Sequence, residues 1–494
     1  MSEVLIIGGG FSGLAAGVAL AEAGRSVRLL EQKPHLGGRA RSFLDPATGS
    51  VVDNGQHIFM GCYHATIHFL STIGTLNRVR FQKHLNVPFL ERNGRLTVLQ
   101  CPALPSPWHV LLGVLRSGGF AFKEKLEVWR FGGSLQWAKA TDPGSERLSV
   151  REWLTKLGQS ERLQRNFWDL LCIAALNEDP SVASAALFER VVRLALFTSP
   201  EDSRLGIPRV GLSDVYVDAA TAYIRARGGR VECRRSVASL LVSEGRCRGV
   251  RLSTGEEIEA ESVLSAVPSF QLAGLLPGEM LRREPFFAAV VSLRPAPIIS
   301  INLWFDRAIT ELDFVGLRGA TIQWLFNKGK ILGYAGSSSP LPLGGVRFLD
   351  PDGVHRTPEI GEGGPPRPLS SVRQPTERVR GSKTSSENYI SLVLSGAHRH
   401  IGRSKEELLA IALLELGELF PAAQKAKLRH SLIIKERFAT FSPTWEAQQV
   451  RPTARTPVRG LYLAGDWTAT GLPATIESAI QSGYTAAGAI VDDG

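Results

Sequence analysis

VLIIGGGFSGLAAGVALAEAGRSVRLLEQ, residues Val4–Gln32, is the stretch that decides the fold. The apolar run Val4–Ile7 has the composition of a strand buried in a parallel sheet. Gly8, Gly10 and Gly13, with Phe11 and Ser12 among them, form G-x-G-x-x-G at a strand-to-helix turn. Ala15, Ala16, Val18, Ala19 and Leu20 continue as a helix of small residues, and Val27–Leu30 is a second strand that ends in Glu31. The glycines permit a tight turn and close approach of backbone, so a pyrophosphate can rest on the helix N-terminus. The carboxylate at the end of the second strand can accept from ribose hydroxyls. Alone, the motif fits a plain glycine turn; strand, motif, helix, second strand and acid in register point to a dinucleotide. Glu31 disfavours a ribose 2′-phosphate, which its charge would repel.

Directly downstream, LGGRARSF carries Gly37, Gly38, Arg39 and Arg41, a second glycine turn with arginine to clamp phosphates. VDNGQHIFMG follows, bringing Gly55 and Gln56 in a polar turn within an apolar frame. No second G-x-G-x-x-G follows a strand anywhere, so one dinucleotide site is expected and no separate nicotinamide domain. At the other end stands GDWTATGLPATIESAIQSG, Gly465–Gly483, with Ile476, Ile480, Gly483, Ala487 and Ile490 on one helical stripe. A helix is predicted from about Pro473, its free N–H groups and positive dipole end directed at whatever lies beyond Thr475.

These motifs, together with LYLAGDW before the last helix, resemble the flavoprotein superfamily of amine oxidases and phytoene desaturases. The resemblance implies FAD, held by Gly8, Gly10, Phe11, Ser12, Gly13, Glu31, Gly38, Arg39, Gly55 and Gln56. Within the superfamily the backbone at the Val237 position contacts adenine, and Gly465 and Asp466 take the ribityl and phosphate region. Ala474 and Thr475, in the Pro473–Glu477 turn, would face the isoalloxazine. Phe438–Gly460 contains no cysteine for covalent attachment, so non-covalent FAD is expected. The implied fold class is α/β: a Rossmann-type FAD-binding domain with a parallel sheet and an inserted β-meander, intertwined with an α+β substrate domain. We assign the first domain to residues 1–75, 215–290 and 455–494, and the second to 76–214 and 291–454.

A finer resemblance is to the squalene-associated branch, the hydroxysqualene dehydroxylases of hopanoid biosynthesis. VDNGQHIFMGCYHATIHFLSTIG, FWDLLCIAALNEDPSVASA, LGIPRVGLSDVYVDAA, WLFNKGK, ISLVLSGAHRH and LAGDWTATGLPATIESAIQSG are similar to that family's blocks and span nearly the whole chain. Membership implies reductive removal of the hydroxyl of hydroxysqualene to give squalene, with reduced FAD as hydride donor and an isoprenoid lipid as substrate. Such chemistry needs an acid to assist departure of the allylic hydroxyl. His57, Asp53 and Glu477 are the candidates, because their segments would flank the ring. Each has a plainer reading: Asp53 as a strand-end turn residue, His57 as a packing residue by the flavin, Glu477 as a first-turn acid. LLCIAALN, Leu170–Asn177, mixes apolar wall with one amide, so Cys172 and Asn177, with Thr475, are the candidate substrate contacts. A carotenoid or phytoene desaturase, an amine oxidase and a non-enzymatic flavin or lipid carrier are the alternatives. Thr475 stands where an amine oxidase usually has an aromatic residue.

Composition sets the remaining bounds. A chain of 494 residues exceeds one ordinary core. The net charge of +10 is carried without a run of five basic residues or an aromatic-interleaved basic patch, which points to anionic lipid rather than nucleic acid. Five cysteines form no C-x-x-C pair and ten histidines no H-E-x-x-H spacing, so neither metal nor disulfide framework is expected. With no signal peptide or spanning segment in view, the expected location is the cytoplasm, peripheral to the inner face of the membrane. Cys101–Ala140, rich in Trp, Leu and Phe beside Arg116, Lys123 and Lys125, reads either as a packed helical cap or as an interfacial segment. A single dinucleotide fold implies an external electron donor. Residues 333–388 hold eight of the 28 prolines and little apolar content, and are expected to be a disordered insertion.

Overall fold

The opening run forms the strand Glu3–Ile7 at the centre of a five-stranded parallel sheet. Its order is Arg230–Cys233, Ser26–Glu31, Glu3–Ile7, Ser262–Ser265, Leu461–Leu463, so three distant parts of the chain meet in it. Alternation within the run has a direct consequence. Val4 and Ile6 pack under the helices Phe11–Glu22, Leu212–Ala226 and Ile476–Asp493, while Leu5 and Ile7 join the other layer. That layer is an antiparallel meander, Val237–Ser243, Arg246–Leu252 and Glu257–Glu259. Phe11 stacks on Tyr216 at 3.6 Å between ring centres, which joins the first helix to the middle one. The computed structural model describes residues 3–137, 146–334 and 388–494.

A second sheet of seven strands carries the rest. Its order is Leu428–Phe441, Pro295–Phe305, Tyr389–Leu394, Trp324–Asn327, Phe314–Arg318, Asn86–Glu91, Leu96–Gln100. The neighbours pair antiparallel except Phe314–Arg318 with Asn86–Glu91, where two segments far apart in the chain run parallel. One face is covered by the helix Lys405–Leu419, started by a capping box in which Ser404 and Glu407 satisfy each other's backbone N–H. The other face carries the helical layer from Trp108 to Val192, around Phe131, Trp153, Trp168 and Phe188.

The sequence pattern misplaced some boundaries. Gln56 to about Asn77 has a helical sequence pattern, yet a short strand, Phe59–Met60, precedes the helix His64–Thr72. The pattern from Val150 to Ala222 also reads as helical, but Leu205–Pro208 is a strand that pairs with both Phe59–Met60 and Val79–Phe81. The last helix starts at Ile476, not Pro473, with Thr475 as its cap. Of the expected insertion 333–388, all but Gly333, Tyr334 and Asn388 lies outside the described residues.

Candidate functional site

The two glycine turns close on each other. Gly8 N–H donates to the Leu30 carbonyl (2.8 Å) and Gly37 N–H to the Gly9 carbonyl (2.8 Å). A Cβ on Gly38 would stand 3.2 Å from Gly10 Cα, and one on Gly13 would run into the Gly8 carbonyl. Glu31 is buried and accepts from Gly9 N–H and Lys33 N–H, each at 2.9 Å, so it fixes the turn it faces. A carboxylate has about four lone-pair sites, which leaves acceptor capacity for hydroxyls. The helix Phe11–Glu22 has Gly10 as its cap residue and no side-chain cap, leaving its first-turn N–H groups for an anion. Tyr216 Oη donates to the Gly37 and Ala40 carbonyls and so holds the second turn in place.

Across the groove, Arg39 pairs with Asp466 (Nη2–Oδ1, 2.6 Å) and donates to the Ala439 carbonyl (2.7 Å). Gly8, Gly10, Phe11, Ser12, Glu31, Gly38, Arg39, Gly55, Gln56, Val237, Asp466, Ala474 and Thr475 all line one cavity of about 1310 Å³. Gly13 and Gly465 do not line it: Gly13 lies beneath the Gly8 carbonyl, and Gly465 N–H is taken by Ser482 Oγ (2.8 Å). Gln56 Oε1 is buried with no partner among the described residues, so it can accept from a donor that a ligand brings. A flavin ring N–H is such a donor, and the uncapped helix end, the glycine cradle and Glu31 suit the rest of FAD.

The acid candidates fare differently. Asp53 is absent from the cavity wall. It is buried against Lys328 (Oδ2–Nζ, 2.7 Å) and accepts from Ser42 Oγ (2.6 Å) and Leu212 N–H (2.9 Å). Burial would raise its carboxyl, but the Lys328 charge and these hydrogen bonds prevail and hold it below the usual range. Asp53 is therefore a carboxylate, not an acid. Glu477 lines the cavity, yet its oxygens accept from Ala65 N–H, Thr66 N–H and Thr66 Oγ at 2.7–2.9 Å, so it caps the helix His64–Thr72. His57 faces the cavity and is pushed down to about 4, chiefly by burial, with Lys328 and Arg39 adding to it against Asp53. It is neutral at physiological pH. Tyr63 and Cys62 also line the cavity and keep their protons, Cys62 pushed up to about 12 by burial and the charges of Asp202 and Glu477.

Helical phase corrects one substrate contact. Cys172 is fully buried in the helical core, and Leu171, Ala174 and Ala175 present the wall instead. Asn177 borders the cavity in the left-handed conformation (φ 54°) that ends its helix. Its Nδ2 donates to Thr440 Oγ1 (2.8 Å) and the Ala296 carbonyl (3.2 Å), and Oδ1 accepts from Gly396 N–H (2.7 Å), so both ends of the amide are committed. Thr475 Oγ1 accepts from Ser478 N–H (3.1 Å), capping the last helix as it borders the cavity.

Two site-building residues escaped the sequence reading. Lys328, in WLFNKGK, is the partner of Asp53; a lysine between an apolar strand and a glycine was the only signal. Arg451 donates to the carbonyls of Asp466, Trp467, Thr468 and Leu472 and so shapes the whole loop before the last helix.

Beyond the cofactor turns the same cavity is walled by Leu85, Val87, Phe89, Leu99, Val110 and Phe167, all apolar. Comparison with known proteins gives a consistent picture. A model of the family described as flavin containing amine oxidoreductase matches residues 11–491. The chain is 29% identical to the hydroxysqualene dehydroxylase of Rhodopseudomonas palustris, over 99% of both chains. It is 26% identical to the 15-cis-phytoene desaturase of Synechococcus elongatus, over 99% of this chain and 96% of that one. Among solved structures, an oxidoreductase from Methanosarcina mazei superposes with a TM-score of 0.69 at 15% identity, covering 99% of this chain and 100% of the other.

Proposed function

This chain belongs to the flavin containing amine oxidoreductase family, and from that premise we propose that this FAD-dependent oxidoreductase removes the hydroxyl of hydroxysqualene reductively, giving squalene. The observation that carries the reading is the single cavity in which the cofactor groove opens onto a long apolar wall. Bound and reduced, FAD would supply the hydride that replaces the C–O bond, the hydroxyl leaving as water once it has gained one proton.

The chain's own residues bind, dry and polarise. Leu171, Ala174, Ala175 and the wall from Leu85 to Phe167 exclude water from a carbon that gains positive character. The N-terminus of the helix Ile476–Asp493, fixed by its Thr475 cap, places positive potential on the cavity. Glu477 commits its oxygens to the helix His64–Thr72 and so serves as a cap rather than as a proton donor. His57 and Tyr63 are the neutral donors that border the cavity.

The substrate is accordingly an isoprenoid lipid, and we place the protein peripherally on an anionic membrane. On the helices Trp108–Arg116 and Phe122–Trp137, Trp108 (54% exposed), Leu115, Phe122 (82%) and Leu126 face outward beside Arg116 and Lys123. Val110, on the first of these helices, lines the cavity, so the exposed apolar face and the lipid wall share one helix. No helix among the described residues is long and apolar enough to cross a membrane. Electrons come from an external donor.

A desaturase acting oxidatively is the second reading, favoured by the likeness to the phytoene desaturase. Anaerobic mixing of chemically reduced protein with hydroxysqualene separates the two. The expected result is reoxidised flavin and squalene. Protein that stays reduced, or oxidised protein that inserts double bonds into squalene or phytoene, would establish the desaturase instead.

A further inference from the structure

We propose that Arg190 holds the oxygen of the substrate's hydroxyl and thereby distinguishes the alcohol from the hydrocarbon product, an inference that rests on the dehydroxylase reading. The helix Ala185–Val192 and the π-helical segment Arg193–Phe197 after it give the cavity Phe188, Val191, Leu194 and Ala195, and beside them a guanidinium needs either a partner or water. The next arginine along has one: Arg193 is clamped by the buried Glu189, Nε at 2.9 Å and Nη2 at 2.7 Å. Arg190 has the other: it is an exposed residue at the open side of the cavity, and its side chain has neither a hydrogen bond nor an ion pair with any described residue.

Its position is built rather than accidental. The guanidinium lies over Gly471, where an added Cβ would stand 2.5 Å from Nη1 and where φ is +74°, so a side chain there would be strained as well as crowded. Leu472, Pro473, Ala474 and Thr475, the next four residues, line the cofactor end. Arg190 thus stands where the apolar wall meets the flavin-facing turn, the place at which a reacting carbon of a long lipid would have to lie. Its charge is felt locally: Arg451 is brought down to about 10, first by burial, with Arg190 adding and Asp466 opposing.

The chemistry of recognition follows. A guanidinium is always charged and only donates, so it can hold and polarise an alcohol oxygen but cannot supply the proton itself. Once the C–O bond has become C–H, no acceptor remains. A hydrocarbon lying against Arg190 removes water from a cation and gives nothing back, which disfavours the product and any unfunctionalised polyene.

The test is equilibrium binding to the oxidised, FAD-loaded protein, which cannot carry out the reduction. Hydroxysqualene and squalene are titrated separately from mixed detergent micelles, with flavin fluorescence as the signal, for wild type, R190Q and R190K. We expect R190Q to lose at least about tenfold in affinity for hydroxysqualene, with squalene bound unchanged or more tightly. R190K should recover part of the preference, and flavin content should equal wild type in both variants. An R190Q protein that keeps the wild-type ratio of affinities overturns the assignment, and so does one that loses its flavin or its fold. The two readings fail separately. Wild type that makes squalene while R190Q keeps its preference sinks only the role of Arg190. Wild type whose preference depends on Arg190 but which never yields squalene sinks only the reaction.

Discussion

Lys328→Met strands Asp53 and measures what the buried pair does. The ammonium is 1% exposed, the carboxylate 6%, and they lie 2.7 Å apart. Asp53 ends the strand Val51–Asp53 and Lys328 follows the strand Trp324–Asn327, while Leu212 N–H brings in the helix Leu212–Ala226. The pair therefore joins the cofactor layer to the seven-stranded sheet. Removing one partner of a buried pair costs about 3–5 kcal/mol. An unfolding entropy of about 2.1 cal/mol/K per residue over 494 residues amounts to roughly 1 kcal/mol per degree, so Tm should fall by about 3–5 °C. The combination Asp53→Asn with Lys328→Met removes both charges and should cost less than Lys328→Met alone. pH gives a second sign. In the native protein the Asp53 carboxyl lies below its ordinary value of 3.8, so its contribution is complete above that value and lost only in strong acid. Without the ammonium, burial prevails and raises the carboxyl, so the variant should regain stability as pH falls from about 8 to about 5. Thermal release of flavin fluorescence at the two pH values reads both effects. A single variant no less stable than the double one, with no response to pH, would refute the reasoning.

Glu31→Ala removes the acceptor of two turn N–H groups and the partner we propose for the ribose, each worth about 1.5–3 kcal/mol if charge-assisted, and Arg39→Ala removes the partner of Asp466. Flavin retained per protein after gel filtration should drop in both; full retention in both argues against the groove as described. Glu477→Gln should lower Tm by weakening a helix cap worth about 1 kcal/mol while leaving kcat close to wild type, and a kcat loss of orders of magnitude would restore Glu477 as the acid. Because His57 titrates near 4, the rate between about pH 6 and 9 should show no step that disappears in His57→Asn. Phe122→Glu with Leu126→Glu should reduce co-sedimentation with anionic vesicles and leave flavin content intact; unchanged sedimentation would move the lipid contact elsewhere.

How much of this was legible depended on sequence distance. The first strand, the glycine turn and Glu31 form a contiguous unit whose periods and residue types admit few readings, and the site around them followed. Glu477 was visible as a first-turn acid, but its partners Ala65 and Thr66 lie some four hundred residues upstream, and only packing of the two helices brings them together. Cys172 was recoverable: at 3.6 residues per turn, Leu171, Ala174 and Ala175 share a stripe that excludes it. Asn177 carried a local signal too, since asparagine after an apolar helical run is a common left-handed stop. Lys328 carried almost none, because a lysine in a short polar turn ordinarily reads as a solvated surface residue.

The strand Leu461–Leu463 and the helix behind it have a consequence for synthesis. Translation delivers the glycine turn well before Asp466, the Leu472–Thr475 turn and the helix Ile476–Asp493 that packs on Phe11–Glu22. A nascent chain on the ribosome can form its first strands but lacks one wall of the groove, so a product stopped short of Gly465 would stay colourless. Flavin capture thus reports that synthesis has passed the helix Ile476–Asp493.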